Sequence, residues 1–418
     1  MSRLFIYQHN YAEQERSVRI EGTAIMDIFE AIRVFYTPRV MTWSHFLSPR
    51  EKQQYEAEWQ QRQEAEKVCE RPETYVPFTA REGRAVALAA IELVDVGVEE
   101  RYQYLPHIIL KNLAQAVPGA LQGLYPRLIE RNLFWGDGVL YREADARTRD
   151  LLLSFLENDV RVDLEYQDLL CALAWIGDEK VQAQFHALRQ APPTWHTIGG
   201  YSMQDYARCA GWEITREGKR RDLCFQTSYD LISVDAAPAS SLHGPVAVIE
   251  PREDRCPWCG RPLVTLFDLR VRDRRLAILE VEGKQLRFPL CINCSLQNRV
   301  YFDVERGGTA RWSESNGNTP RLLRCYEDDL MPPWPELRLV LGKKRKTPYV
   351  NSGSHLGGYP AWVQSPEYPQ CPSCQQTMRF VGQLEPAADI GAPSSIEGIV
   401  YAFYCAPCGK ATTGYQQT

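Results

Sequence analysis

Two stretches of this sequence are close relatives of one another: CPWCGRPLVTLFDL at residues 256–269 and CPSCQQTMRFVGQL at residues 371–384. Each stretch begins with a Cys-x-x-Cys pair. A second pair follows further along the chain, CINC at 291–294 after the first stretch and CAPC at 405–408 after the second. The spacings are C-x2-C-x31-C-x2-C and C-x2-C-x30-C-x2-C. The chain therefore carries the same four-thiol arrangement twice.

Paired Cys-x-x-Cys turns are typical of structural zinc sites, in which two turns supply four thiolates at the corners of a tetrahedron. Pro257, Pro372 and Pro407 lie inside three of the turns, and Gly260 and Gly409 follow two of them, as tight turns prefer. We therefore predict two structural Zn²⁺ ions. The predicted ligands are Cys256, Cys259, Cys291 and Cys294 in the first site and Cys371, Cys374, Cys405 and Cys408 in the second.

Two other uses of cysteine pairs fit the pattern less well. A redox-active Cys-x-x-Cys motif occurs singly, at the junction of a strand and a helix, whereas this chain has four pairs in two matched sets. An iron–sulfur cluster also takes four cysteines, but the spacing within these turns favours zinc. An all-cysteine zinc site has no open coordination position, so we expect no hydrolytic chemistry at either site.

The two copies also resemble each other outside the cysteines. When Cys256 is aligned with Cys371, apolar residues match at three further positions, and the closing cysteines fall one residue out of step. The matched pairs are Leu263 with Met378, Leu266 with Val381, and Leu269 with Leu384. We infer an internal duplication of a zinc-ribbon-like β unit.

The composition is that of an ordinary globular protein. The 418 residues are 44% hydrophobic and 24% charged, with a net charge of −5. The N-terminus lacks the apolar core of a signal peptide, and no run of apolar residues is long enough to span a membrane. We therefore expect a cytoplasmic protein without membrane contact, in which the thirteen cysteines stay reduced.

The first half of the chain has helical periodicity. Segments such as TAIMDIFEAIRVFY (23–36) and DEKVQAQFHALRQ (178–190) place apolar residues on one face, and Asp178 is placed to cap the second. The segment 48–70 is polar nearly all round, which is typical of an exposed helix or arm. A HEAT-like repeat array and a helical bundle both fit these segments. The isolated cysteines here are expected to be buried, small apolar side chains: Cys69, Cys171, Cys209 and Cys224.

The second half changes to short β segments separated by turn residues, and DAAPASSLHGP (235–245) is the best linker. The predicted fold class is therefore α+β, with a helical domain over 1–234 and a β-rich, two-zinc domain over 245–418. Within the second domain we place the first zinc unit at 245–335 and the second at 336–418.

The C-terminal third resembles the YwqG-like family of bacterial proteins. The resemblance is carried by Gly-Gly-x-Pro-x-Trp-x-Gln, then a cysteine pair and a GQL strand, and finally a YxFYCxxC…YQQ segment. The matching residues are Gly357, Gly358, Pro360, Trp362, Gln364, Cys371, Cys374, Gly382, Gln383, Leu384, Tyr401, Phe403, Tyr404, Cys405, Cys408, Tyr415, Gln416 and Gln417. The resemblance covers roughly 340–418, or 250–418 if the first unit is a diverged copy.

The residue types in this motif are more typical of a folding signature than of a ligand-binding site. Gly357 and Gly358 permit a turn with positive φ, and Pro360 with Trp362 suits a buried corner. Gln383 and Gln416 lie in strand-like surroundings and could pair across the unit. His355, beside the two glycines, is the histidine most worth following among seven that show no metal spacing; the catalytic motifs of common enzyme classes are absent.

The resemblance implies a function, because YwqG-like proteins are frequently associated with bacterial toxin systems as immunity proteins. It implies a protein that binds and sterically neutralises a cognate toxin, such as a nuclease effector of type VI secretion. The absence of catalytic motifs leads us to expect that the protein is not an enzyme. An acidic face would complement a nuclease that must attract phosphate. Three acidic stretches are candidates for it, although each is also typical of ordinary solvated surface: 98–105, 156–168 and 326–330.

The alternative is a nucleic-acid-binding protein. Zinc ribbons often bind nucleic acid, and GKKRK (342–346) places four consecutive cations beside the aromatic-rich motif. The net negative charge disfavours nucleic acid as a partner, and a run of four cations is more often a solvated loop.

Overall fold

The computed structural model describes residues 5–7, 18–20, 23–36, 49–98, 102–134, 138–158, 166–192, 201–234, 244–295, 298–318, 338–349, 353–386 and 398–417. The chain divides into two compact units, residues 1–210 and residues 211–418. The first unit is helical apart from one short hairpin, and the second is built from β-strands. The predicted α+β class, a helical part followed by a β-rich part, is confirmed.

The helical unit begins with the hairpin of β1 (Phe5–Tyr7) and β2 (Val18–Ile20). Its helices are α1 (Thr23–Phe35), α2 (Pro49–Glu70), α3 (Ala80–Val96), α4 (Leu105–Ala116), α5 (Tyr125–Glu130), α6 (Ala146–Asn158), α7 (Tyr166–Ile176), α8 (Glu179–Gln190) and α9 (Met203–Cys209). Helices that follow one another pack together, α1 against α2, α3 against α4 and α6 against α7.

Local sequence sets the helix starts. Asp178 accepts the backbone N–H groups of Lys180 and Val181 and so caps α8, as its position in the sequence predicts. A capping box of Thr79 and Glu82 begins α3. Helix α2 differs from the expected exposed arm, because one side of its second half is buried against the unit through Arg62, Ala65 and Cys69.

The β unit contains two larger sheets. Its strands are β3 (Trp212–Ile214), β4 (Arg220–Asp222), β5 (Ser228–Ser233), β6 (Val246–Arg255), β7 (Pro262–Leu269), β8 (Leu286–Leu290), β9 (Tyr301–Val304), β10 (Ala310–Trp312), β11 (Leu339–Lys344), β12 (His355–Gly357), β13 (Arg379–Leu384), β14 (Ile399–Cys405) and β15 (Lys410–Gln416); the helical turn α10 (Ile292–Ser295) follows β8. Eight strands form one antiparallel sheet in the order β10-β9-β15-β14-β13-β12-β5-β11, and β6-β7-β8 form another.

The two sheets pack face to face around one apolar core. Val248, Phe267 and Phe288 from the three-stranded sheet lie in the same buried cluster as Leu356 and Val400 from the eight-stranded sheet. Strand residues that alternate inward bury their side chains here. This sandwich fixes the strands whose ends carry the cysteine pairs.

The compact units divide at 210/211, upstream of the linker that the sequence suggested at 235–245. The cause is β5, which pairs with both β11 and β12 and is therefore an interior strand of the eight-stranded sheet. The two cysteine units also share this sheet, because β9 of the predicted first unit pairs with β15 of the second. Residues 235–243 of the predicted linker lie outside the described part of the chain.

The duplication extends to hydrogen-bond register. In the first copy Leu269 pairs with Leu286, and in the second Leu384 pairs with Val400, the equivalent residues. Each pairing is interrupted by one irregularity, at Leu266 between β7 and β8 and at Val381 between β13 and β14, again equivalent positions. A bulge that recurs at the same position is evidence of a repeated β unit.

Candidate metal centres

The first quartet lies at the end of the three-stranded sheet. Cys256 and Cys259 occupy the turn between β6 and β7, where the Cys256 N–H donates to the Arg261 carbonyl at 2.8 Å and the Gly260 N–H donates to the Cys256 carbonyl at 2.8 Å. Gly260 has φ 73°, the left-handed conformation that such a turn requires. Cys291 lies between the end of β8 and the helical turn α10, and Cys294 lies on α10.

The second quartet repeats this first turn. The Cys371 N–H donates to the Gln376 carbonyl at 2.8 Å, and the Gln375 N–H donates to the Cys371 carbonyl at 2.9 Å. Cys405 and Cys408 differ from their counterparts, because Cys405 is the last residue of β14 and Cys408 lies in the tight turn between β14 and β15. The structure therefore brings together all four predicted cysteines of each site.

The spacing between sulfurs fits a tetrahedral metal. Within each quartet the four Sγ atoms lie within 4.8 Å of one another. The Sγ–Sγ distances are 3.6 Å for Cys256–Cys294, 3.4 Å for Cys259–Cys291 and 3.6 Å for Cys374–Cys405. Sulfurs bound to one zinc at about 2.3 Å lie about 3.8 Å apart, whereas a disulfide joins them at about 2.05 Å. Both quartets are positioned to hold a metal ion.

The ionisation of the thiols shows why a cation suits them. Hydrogen bonds from the thiols of Cys291 and Cys294 lower the pKa of Cys256 to about 2. Hydrogen bonds with Cys256 and with Cys291 raise the pKa of Cys294, and burial acts in the same direction. The neighbouring thiols thus stabilise the Cys256 thiolate by hydrogen bonding and themselves stay protonated. A bound divalent cation would allow all four cysteines to ionise. Four sulfur ligands would close the coordination shell.

The glycines of the YwqG-like motif lie where no side chain fits. Gly357 and Gly358 have φ 70° and 67°. A Cβ at Gly357 would lie 2.3 Å from the Thr227 carbonyl oxygen, and one at Gly358 would lie 2.3 Å from the Pro348 carbonyl oxygen. Trp362 is half-buried, with its ring centroid 4.7 Å from that of Tyr401. These motif residues shape the chain that follows β12.

Both glutamines bond the segment that follows β12, and Gln383 also bonds the loop before β12; they do not pair with each other. Gln383 accepts the Ala361 N–H at 2.9 Å and donates to the Gly353 carbonyl at 3.0 Å. Gln416 accepts the Gln364 N–H at 3.0 Å and donates to the Ser365 carbonyl at 2.9 Å. We call Gln383 and Gln416 the amide clamp. Its side chains are used in backbone contacts, which is a structural role.

His355 is fully buried, with its ring nitrogens 3.3 Å from the Gly353 carbonyl oxygen and 3.2 Å from the Tyr359 carbonyl oxygen. Burial, and then the positive charge of Arg345, lower its pKa to about 3. The imidazole is therefore neutral at physiological pH, and its single N–H donates to one of these two carbonyl oxygens, according to the tautomer.

Only part of the charged stretches singled out in the sequence lies in the described residues. In GKKRK, Arg345 forms an ion pair with Asp230, whereas Lys343 and Lys344 are exposed at the end of β11. The acidic stretch 326–330 lies outside the described residues, as do 99–101 and 159–165 of the other two stretches. Among the isolated cysteines, Cys69 and Cys224 are buried as expected, whereas Cys171 and Cys209 are half-buried.

Sequence reasoning missed a polar groove of about 750 Å³ on the three-stranded sheet. Ala247, Asp268 and Arg287 pair across β6, β7 and β8 and so share the face that lines it. Asp268 accepts a hydrogen bond from Arg287 at 2.9 Å, whereas Glu250 and Glu253 are exposed on the rim without an ion-pair partner in the described chain. No motif marks these residues, because the strand pairing alone brings them together.

The fold and the quartets define a class of protein: a helical unit followed by a β-sandwich unit with two tetracysteine sites. The chain is 34% identical over 353 residues to a protein of Salmonella typhimurium strain LT2 that is named uncharacterized protein YpfL. The match covers 83% of this chain and 80% of that protein. The chain therefore belongs to the same family as YpfL. No family model matches the chain, and no solved structure matches it. In the described ranges, no helix is long and apolar enough to cross a membrane.

Proposed function

We propose that the chain is a cytoplasmic immunity protein, which binds a cognate bacterial toxin and neutralises it sterically. The resemblance to YwqG-like proteins motivates this function, and a nuclease effector of type VI secretion is the expected toxin. The protein would not be an enzyme. Two structural Zn²⁺ ions, one in each quartet, would hold the β unit rigid for docking.

One observation carries the proposal: the polar residues of the motif are used in building the β unit. The amide clamp binds backbone groups, the neutral His355 ring lies buried between two backbone carbonyls and donates to one of them, and the quartets would be closed by four sulfurs. A chain whose distinctive residues stabilise a rigid sandwich is suited to presenting a surface and not to transforming a substrate.

The polar groove is the surface that we propose for docking. Four carboxylates and three arginines line it, and among the carboxylates Glu250 and Glu253 are exposed and have no ion-pair partner in the described ranges. Nucleases that bind phosphate carry basic residues around their active sites, and carboxylates on a rigid rim complement such a face. Charges on the rim act mainly on the association rate and on its dependence on salt.

Co-expression with the product of the neighbouring gene tests the function. We expect rescue of growth and a stoichiometric complex that co-purifies with the chain. In the Glu250→Lys/Glu253→Lys variant we expect the association rate to fall about tenfold at low salt. The matched control is Glu282→Lys, which changes an exposed carboxylate outside the groove. Absence of both rescue and a complex would contradict the proposed function.

The nucleic-acid alternative rests on Lys343 and Lys344. Both are exposed at the end of β11, an edge strand of the eight-stranded sheet. Lysines at such edges also prevent strand-to-strand aggregation, so their position has a structural explanation. Salt-dependent binding of DNA or RNA that is lost in Lys343→Glu/Lys344→Glu would favour this alternative.

A further inference from the structure

The two quartets differ in how far solvent reaches the sulfurs. In the first quartet three thiols are buried, and only Cys259 is half-buried. In the second quartet two thiols are buried, whereas Cys408 is half-buried and Cys374 is exposed. Dissolved ligands therefore have direct access to a sulfur of the second quartet.

One substitution between the repeats accounts for much of this difference. The first turn of the first quartet reads Cys-Pro-Trp-Cys, and its counterpart reads Cys-Pro-Ser-Cys. Trp258 is half-buried and packs edge-on against Trp312, with ring centroids 5.2 Å apart, at the border of the apolar cluster around the quartet. Ser373, at the equivalent position, is exposed. The first quartet thus has an indole cover that the second lacks.

The strands next to the two quartets also differ in the regularity of their backbone pairing. Strands β14 and β15 pair in unbroken register through to Cys405 and Lys410, directly at the second site. Beside the first site the register of β6 and β7 shifts between Pro251 and Arg255. Backbone pairing therefore runs without a shift up to Cys405 in the β14–β15 hairpin, which carries Cys405 and Cys408, whereas the pairing of β6 with β7 resumes at Arg255 and Pro262, next to Cys256, only after an irregular segment.

We propose that the second quartet is an exchangeable site for thiophilic divalent cations such as Zn²⁺ and Cd²⁺, while the first retains its ion as a structural element. This inference rests on the proposed binding of zinc by both quartets. Exchange begins where an incoming ligand reaches the metal or a thiolate leaves it, and an exposed thiolate favours both events. The β14–β15 hairpin, which carries Cys405 and Cys408, keeps its shape during exchange because its backbone hydrogen bonds do not depend on the ion.

Chelation of the full-length, zinc-loaded protein tests this division. Excess 4-(2-pyridylazo)resorcinol is added, and zinc release is followed by absorbance. We expect one ion per chain in a fast phase and the other at least about tenfold more slowly, the scale on which surrounding residues tune metal affinity. Far-UV circular dichroism should be unchanged after the fast phase. Iodoacetamide added at that point should label Cys374 and Cys408 and spare Cys256 and Cys294.

Substitutions show independently which quartet gives rise to each phase of zinc release. Cys374→Ser should abolish the fast phase, and Trp258→Ser should accelerate the slow phase about tenfold, whereas Ser373→Ala should change neither. Release of both ions at one rate, or alkylation of Cys256 and Cys294 first, would overturn the inference. A reduced, freshly purified protein without zinc would overturn metal binding itself, and it would do so whether or not the chain binds a toxin.

Discussion

Gln375 adopts a backbone conformation that the other repeat assigns to glycine. Its φ is 59°, and that of the equivalent Gly260 is 73°. Both residues donate their N–H to the first cysteine of the turn, so the hydrogen bond imposes the conformation in both repeats. A residue with a Cβ is strained there, which makes Gln375 a residue whose replacement should stabilise the protein.

We expect Gln375→Gly to raise the free energy of unfolding by about 1 kcal/mol, because it relieves the left-handed strain. Urea denaturation of the zinc-loaded protein measures the change. The reciprocal variant Gly260→Gln should lower the free energy of unfolding by a similar amount, since a Cβ at Gly260 meets no atom within 4 Å and only the backbone resists it. Equal stability of wild type and Gln375→Gly would show that this turn carries no strain.

His355 should make stability depend on pH. Its pKa is about 3 in the folded protein, because burial and the charge of Arg345 disfavour the imidazolium, and about 6.5 in the unfolded chain. As the pH falls below about 6.5, His355 becomes protonated in the unfolded chain but stays neutral in the folded protein. The free energy of unfolding therefore decreases between about pH 6.5 and pH 3. Between pH 7 and pH 5 this loss is about 2 kcal/mol.

Urea unfolding of wild type and His355→Gln at pH 7 and pH 5 isolates this contribution, because effects of pH on the thiol sites are common to both proteins. The variant should lose about 2 kcal/mol less than wild type between the two pH values. The same loss in both would mean that His355 is not the titrating group.

At the scale of elements, the amide clamp is the feature most open to test. Gln383 is fully buried, and it bonds the Ala361 N–H after β12 and the Gly353 carbonyl just before β12. In Gln383→Leu the Ala361 N–H loses its partner and the Gly353 carbonyl loses one of two neighbouring nitrogens, the other being in the His355 ring. We expect a loss of about 1–3 kcal/mol in the free energy of unfolding. Gln364→Ala should change it by less than about 0.5 kcal/mol, since the Gln364 side chain is exposed. Similar decreases in the free energy of unfolding of both variants would contradict the structural role of the amide clamp.

The turns and the repeat could be predicted from the sequence because their signals are local. The Cys-x-x-Cys spacing fixes which sulfurs can meet, and the matched apolar residues Leu266 and Val381 mark equivalent strands. The bulge at these two positions carries no such signal, because it arises from pairing with strands about twenty residues away along the chain. Register between distant segments depends on packing that a single sequence does not display.

At the scale of the whole molecule, β5 explains why the sequence-based boundary differs from the structural one. Its polar and apolar residues read as a short strand next to a Pro- and Ser-rich linker, which suggests the end of a domain. In the structure β5 is an interior strand, with β12 on one side and β11 on the other. Its partners lie more than a hundred residues further along the chain, so no local pattern assigns it to the second unit.

This placement predicts how fragments of the chain behave. A fragment of residues 211–418 should fold and bind two zinc equivalents, because it contains every described strand of both larger sheets. A fragment of residues 245–418, cut at the apparent linker, lacks β5 and leaves the facing edges of β11 and β12 unpaired. It should aggregate or stay unfolded, because unpaired strand edges recruit other chains.

Size-exclusion chromatography, far-UV circular dichroism and elemental analysis of the two purified fragments distinguish these outcomes. A monomeric 245–418 fragment with two zinc ions and an unchanged β spectrum would show that β5 is dispensable and that the apparent linker is the true boundary. An unfolded 211–418 fragment would show instead that the β unit needs the helical unit to fold. The predicted result, a folded longer fragment and an unfolded shorter one, requires that hydrogen bonds to β5 join the edge strand β11 to β12 and so to the rest of the eight-stranded sheet.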